Sequence, residues 1–220
     1  MRMSWLAAAI AALGMATAAG VGQAQDLSKM CKTVRDVQVG QWAEYQITDS
    51  QEGKSGRMRL AIFGSKDVAG KQAYWIEIKM KADAGSVITQ VLAGGYPFEA
   101  SQIHEMIVKA GDQPAMKMPN QAVAMMRSRI AQTPSLDAAN RCEEAKVVGF
   151  ESIQVPAGEF RALHLKPVDA QVDAWALEEI PFGLIKSRSK DGEVVLLAHG
   201  KGAKSSITET PLSLPGMGGF

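Results

Sequence analysis

No stretch of this sequence spells out a reaction. Gly-x-Ser-x-Gly, the turn that would present a nucleophilic serine, does not occur. The three histidines, His104, His164 and His199, stand far apart, and neither His-x-x-x-His nor Cys-x-x-Cys spacing is found to position a metal. No glycine-rich turn has the form of a phosphate loop. The paired acids Glu143-Glu144 and Glu178-Glu179 are sequence neighbours, and on a strand neighbours point to opposite faces. They are therefore poor acid–base partners. These absences lead to the expectation of a non-enzymatic protein with no cofactor and no metal.

Long apolar runs are equally scarce. The one continuous stretch, Trp5 to Ala19, falls short of the roughly 20 residues a bilayer span needs. It follows the single charge of Arg2 and leads to Gly22-Gln23-Ala24, small residues at the two positions a signal peptidase reads. Residues 1–24 are read as a signal peptide cleaved near Ala24, leaving a periplasmic or secreted chain with no transmembrane span. Charge of one sign is missing too. Arg2 is the only charged residue of the leader, so the remainder holds 23 basic and 23 acidic residues. A neutral chain without basic runs has no footprint for nucleic acid.

Cysteine is limited to Cys31 and Cys142. An even pair in an exported chain reads as a disulfide. The competing reading, a lipid anchor on Cys31, is opposed by the polar residues that precede it.

What the sequence has in abundance is alternation. Tyr74, Ile76, Ile78 and Met80 fall on one side of a period of two, with Trp75, Glu77 and Lys79 on the other. Met58, Leu60 and Ile62 alternate with Arg57 and Arg59, and Ala43, Tyr45 and Ile47 with Glu44 and Gln46. This pattern marks half-buried antiparallel strands. A fourth strand is expected over Ser86 to Ala93. Ile103, Met106, Ile107 and Ala110 have helical spacing, although Glu105 to Lys109 also fits an edge strand. Pro119 opens a helix through Ala122, Met125, Met126 and Arg129. After Cys142 the strands resume, the last expected over Ala203 to Thr208. The fold class that follows is mainly β: an antiparallel unclosed barrel of about ten strands with one central helical insertion. One domain is expected over 25–209, with a disordered Gly/Pro-rich tail over 210–220.

Nine methionines lie beyond Ala24, five of them between Met106 and Met126. Flexible thioethers suit either plain core filling or a lid that repacks over an apolar ligand. Soft ligation of Cu(I) by Met116 and Met118 with His104 lacks the repeated motifs such a site uses.

Two turn motifs carry a family likeness. Val155-Pro156-Ala157-Gly158-Glu159-Phe160 and Ile180-Pro181-Phe182-Gly183-Leu184-Ile185-Lys186, with Gly40-Gln41-Trp42-Ala43-Glu44-Tyr45 near the start, occur in an order that resembles the superfamily of periplasmic lipoprotein carriers and acceptors. The resemblance implies an unclosed barrel around an apolar cavity, with helices over the open side. On the expected strand faces Tyr45, Ile76 and Ile78 would line that cavity and Met125 and Met126 would cover it, taking a lipid or acyl chain. The alternative is a tightly curled, side-chain-filled module that holds an envelope partner and no small molecule.

Overall fold

A computed structural model describes residues 27–32, 34, 36–83, 85–96, 98, 100–130, 142–166 and 171–213. The expected leader, and the tail beyond Ser213, lie outside the described residues.

The first meander contains β1 (Trp42–Asp49), β2 (Ser55–Val68), β3 (Lys71–Ala82), β4 (Gly85–Ala93) and β5 (Ile103–Ala110), closed by the short β6 (Met116–Lys117). Helix α1 (Asn120–Ile130) follows. The second meander runs through β7 (Lys146–Val155), β8 (Gly158–Lys166), β9 (Val172–Ala176), β10 (Leu184–Ser189) and β11 (Gly192–Gly200), and β12 (Leu212–Ser213) ends the described chain. All belong to one twelve-stranded sheet of order β12-β6-β5-β4-β3-β2-β1-β11-β10-β9-β8-β7. The pairing of β1 with β11 welds the two meanders. Since β12 and β7 sit at opposite edges, the barrel stays unclosed, as the alternation led us to expect.

One open reading is decided and one expectation is overturned. Of the two readings for Ile103 to Ala110, helical spacing or an edge strand, the strand forms: β5 lies inside the sheet between β6 and β4, with Val91 opposite Met106. Pairing there satisfies the backbone edge of β4, a tertiary demand that overrides local period. The strand expected over Ala203 to Thr208 is absent. Those residues instead form an extended strap across the outer face of the first meander. At its start the Ala203 N–H donates to the Gly40 carbonyl at 2.7 Å. At its end Leu212 and Ser213, expected within the tail, pair in parallel with Met116 and Lys117.

The inner face holds the main core: Ala43, Tyr45, Leu60, Ile62, Ile76 and Val91, with Val123 of α1, Phe98 and Phe182 packed over them. A second cluster forms where the helical residues 27–32 lie on β8 and β9, joining Leu27, Met30 and Cys31 to Leu163, Leu165 and Ala176. Cys31 is bridged to Cys142 across 111 residues, with a Cα–Cα distance of 5.7 Å. The pairing expected from the even cysteine count is thus present. It clips the N-terminal helical segment onto the start of the second meander. Val34, just beyond that segment, closes on Gly183, whose φ is +74° and where a Cβ would lie 2.4 Å from Val34 Cγ2. Only glycine fits this contact.

Candidate functional site

Of the five residues expected to meet an apolar ligand, Tyr45, Ile76 and Ile78 do share the inner face, on β1 and β3. Tyr45 and Ile76 are fully buried there by protein. The Tyr45 hydroxyl donates to the Leu184 carbonyl at 3.3 Å, and burial pushes its pKa well above the ordinary range. Met126 and Val123 pack onto this cluster from α1. Met125, however, is 60% exposed. Successive helical residues point about 100° apart, so when Val123 and Met126 face inward Met125 faces water. The expectation that Met125 and Met126 together cover the inner face is corrected to Val123 and Met126. Arg127 donates to the Ile103 carbonyl, and its Nε has no partner among the described residues.

This cover extends over only part of the inner face. α1 sits against β5 near Ile103, while the hairpin ends of β3 and β4 project past it. There Met58 stands opposite Met80, and Met80 opposite Val87. Met80 is 38% and Val87 41% exposed. Ile78 and Val108, on the adjoining row, are half-buried. The result is an apolar strip on the inner face, open toward the β3–β4 turn. The sequence gives the row but not its exposure, because alternation says which face a residue shares and not what covers that face.

The outer face behaves differently. A cleft of about 710 Å³ is lined by Glu44 and Gln46 of β1, Arg57 and Arg59 of β2, and Lys79 and Lys81 of β3, with Asp83 at its end. In the β2–β3 ladder Arg57 is paired with Lys81 and Arg59 with Lys79. The acids beside these arginines are loosely held, with Glu44 at 3.7 Å from Arg57 and Glu77 at 3.8 Å from Arg59. Arg59 also lies 5.0 Å over the Trp42 ring. Next to the cleft, Glu77 is 1% exposed although it is an acid. It accepts from the Ser206 hydroxyl at 2.6 Å, from the Ser206 N–H at 2.8 Å and from Gln90 Nε2 at 2.8 Å. Gln90 donates as well to Ser205 at 2.7 Å. The strap is thereby fastened through a buried carboxylate that the sequence presents as one more solvent-facing strand acid.

A third polar group lies on the second meander. His164 Nδ1 is 2.8 Å from Glu151 and Nε2 is 2.7 Å from Asp173, with the ring stacked 4.6 Å from Trp175. The Trp175 indole N–H and His164 hold Glu151 below the usual carboxylate range, and His164 and Lys166 do the same for Asp173. Among the described residues no group of three or more His, Cys, Asp or Glu side chains is placed to hold a metal ion. No described helix is long and apolar enough to cross a membrane.

No protein-family model matches the sequence, and no curated protein sequence does either. Solved structures give distant likenesses of architecture. A lipoprotein candidate from Parabacteroides distasonis is similar over 76% of this chain and 98% of its own, at 10% identity and a TM-score of 0.36. A candidate exported protein with a YmcC-like fold from Bacteroides fragilis is similar over 74% of this chain and 97% of its own, at 10% identity and a TM-score of 0.34. A chain of the Pseudomonas aeruginosa MucA/MucB complex is similar over 84% of this chain and 59% of its own, at 11% identity and a TM-score of 0.38.

Proposed function

We propose that this chain is an exported, non-enzymatic protein that holds an apolar ligand, a lipid or acyl chain, on the open part of its inner face. The observation that carries the reading is the strip Met58–Met80–Val87, which runs across three adjacent strands with Met80 and Val87 each more than a third exposed. Exposed apolar rows on a curved sheet are costly in water unless something covers them. Thioethers flanking the strip adapt to chains of irregular shape. Export is supported by the charged start, apolar core and small-residue exit of residues 1–24, and by the Cys31–Cys142 bridge, which persists in oxidising compartments.

Organic extraction of protein purified from its own host, followed by mass spectrometry, tests the reading. A stoichiometric lipid is the expected result, together with weaker binding of a hydrophobic fluorescent probe to Met80→Gln/Val87→Thr. Protein that is bare on extraction and binds the probe as the double variant does would overturn it. The rival reading, a packed module with no small-molecule ligand, draws on the other half of the inner face. There Tyr45, Ile76 and Phe182 are sealed by protein.

A further inference from the structure

The outer cleft invites a different occupant from the inner strip. Two rows of like charge face each other in it: Arg57 opposite Lys81, and Arg59 opposite Lys79. Like charges directly opposite in a ladder destabilise a sheet, so a fold selected for stability alone has no use for two such pairs side by side. The six charged residues lining the cleft are four cations and two acids, an excess of two positive charges in a chain whose 24 basic and 23 acidic residues nearly balance as a whole. Neither Lys79 nor Lys81 has an ion-pair partner among the described residues, although most other strand lysines and arginines on this face do. Arg59 is braced over Trp42, which fixes its guanidinium plane while leaving N–H groups to donate.

Spacing narrows the choice of ligand. Adjacent strands lie about 5 Å apart, so each cross-strand pair, Arg57 with Lys81 or Arg59 with Lys79, can share one anionic group between its members. The two pairs are two residues apart along the strands, about 7 Å. An extended peptide places its residues i and i+2 on one face at that same interval. We propose that the cleft is a docking site for an extended acidic segment of a protein partner, with carboxylates at i and i+2 each seated on one Arg–Lys pair. Charge complementarity supplies the attraction, and the shared period of two supplies the register. The site is separate from the inner strip, being on the opposite face of the same strands.

The test uses the full disulfide-bonded chain and fluorescently labelled peptides read by anisotropy. A flexible peptide with glutamates at i and i+2 is expected to bind at low ionic strength. It should bind at least fivefold more tightly than one of equal charge with glutamates at i and i+1, which point to opposite sides when extended. Lys79→Gln/Lys81→Gln removes no ion pair among the described residues and relieves two like-charge pairs, so it is expected to melt no lower than the parent while weakening the i, i+2 peptide about tenfold. Loss of the spacing preference, or an unchanged affinity in a double variant that melts no lower than the parent, would overturn the proposal. So would binding of vesicles of anionic phospholipid, or of inorganic phosphate, that competes with the peptide and is stronger than it. That outcome would assign the cleft to phosphoryl groups instead. Extraction of a lipid from the inner face bears on neither result.

Discussion

At the middle of β3 the chain is covered on both faces, Ile76 under the inner cluster and Glu77 under the strap; toward the β3–β4 turn, Met80 and Lys81 are exposed on opposite faces. From Ile76 to Lys81 the residue types alternate in the same way, apolar inward and charged outward. What differs is the company each part keeps. Inside, α1, Phe98 and Phe182 reach Ile76 but stop short of Met80. Outside, Ser206 bonds Glu77 directly and Ser205 is tied to it through Gln90, but neither bonds Lys79 or Lys81. A single strand thus provides structure where both faces are covered and candidate binding surfaces where both are bare. The teaching is that alternation fixes the face, and coverage fixes the role.

Paired substitutions along β3 would break this comparison if it is wrong. On the inner face Ile76→Ala is expected to cost about 3–4 kcal/mol, the usual range for a fully buried aliphatic side chain. Met80→Ala should cost less than about 1 kcal/mol, since its site is already open to water. Equilibrium urea unfolding of both variants checks the contrast, and equal losses would mean that the open end is ordinary core. On the outer face Glu77→Ala leaves the Ser206 N–H and Gln90 without their acceptor in a dry site. A loss of about 3 kcal/mol is expected, with faster amide exchange across residues 203–209. Lys81→Ala, by contrast, should fall within about 0.5 kcal/mol of the parent. A Glu77→Ala protein that keeps the exchange protection of the strap would show that the carboxylate does not fasten it.

Much of the first meander was legible because its signal is local. Tyr45, Leu60 and Ile76 announce the inner face by period alone, and the β-hairpin turns fall where Gly and Asp interrupt that period. The pairing of Cys31 with Cys142 followed from number and compartment. Legibility ended where partners come from far along the chain. Glu77 reads as a surface acid because Ser206, which bonds it, lies 129 positions away, and the strap that carries Ser206 reads as a strand because it too is extended. Ile103 to Ala110 fits a helix or an edge strand until β4 decides for the strand. Met125 and Met126 could not be told apart without knowing that Val123 sets the buried side of α1. The cationic cleft was present in the alternation as Arg57-x-Arg59 and Lys79-x-Lys81. It becomes visible only when the β2–β3 register sets those two pairs against each other.

The smallest expected effect concerns the far end of the strap, where the fastening is exposed instead of buried. Glu209 is paired with Lys109 of β5, and that contact, with a bond to backbone, holds its carboxyl below the usual carboxylate range. A carboxylate whose pKa is lower folded than unfolded contributes stability at all pH values above its unfolded pKa, near 4.3. That contribution fades as the pH falls below this value toward the folded pKa. Glu105, held down by Lys117 of the neighbouring β6 and by Lys66 of β2, acts in the same direction, so the parent should lose stability on acidification from about pH 5 to pH 3. Glu209→Gln removes one of these contributions. The variant should be slightly less stable than the parent at neutral pH, and the two should converge as the medium is made acid. Because the pair is open to solvent, the gap should also narrow in high salt. Urea unfolding midpoints at pH 7, 5 and 3.5 measure the convergence. Curves that run parallel across that range would mean that the ion pair with Lys109 adds nothing, and that the strap is held by its other contacts, from Ala203 on Gly40 through Ser206 on Glu77 to β12.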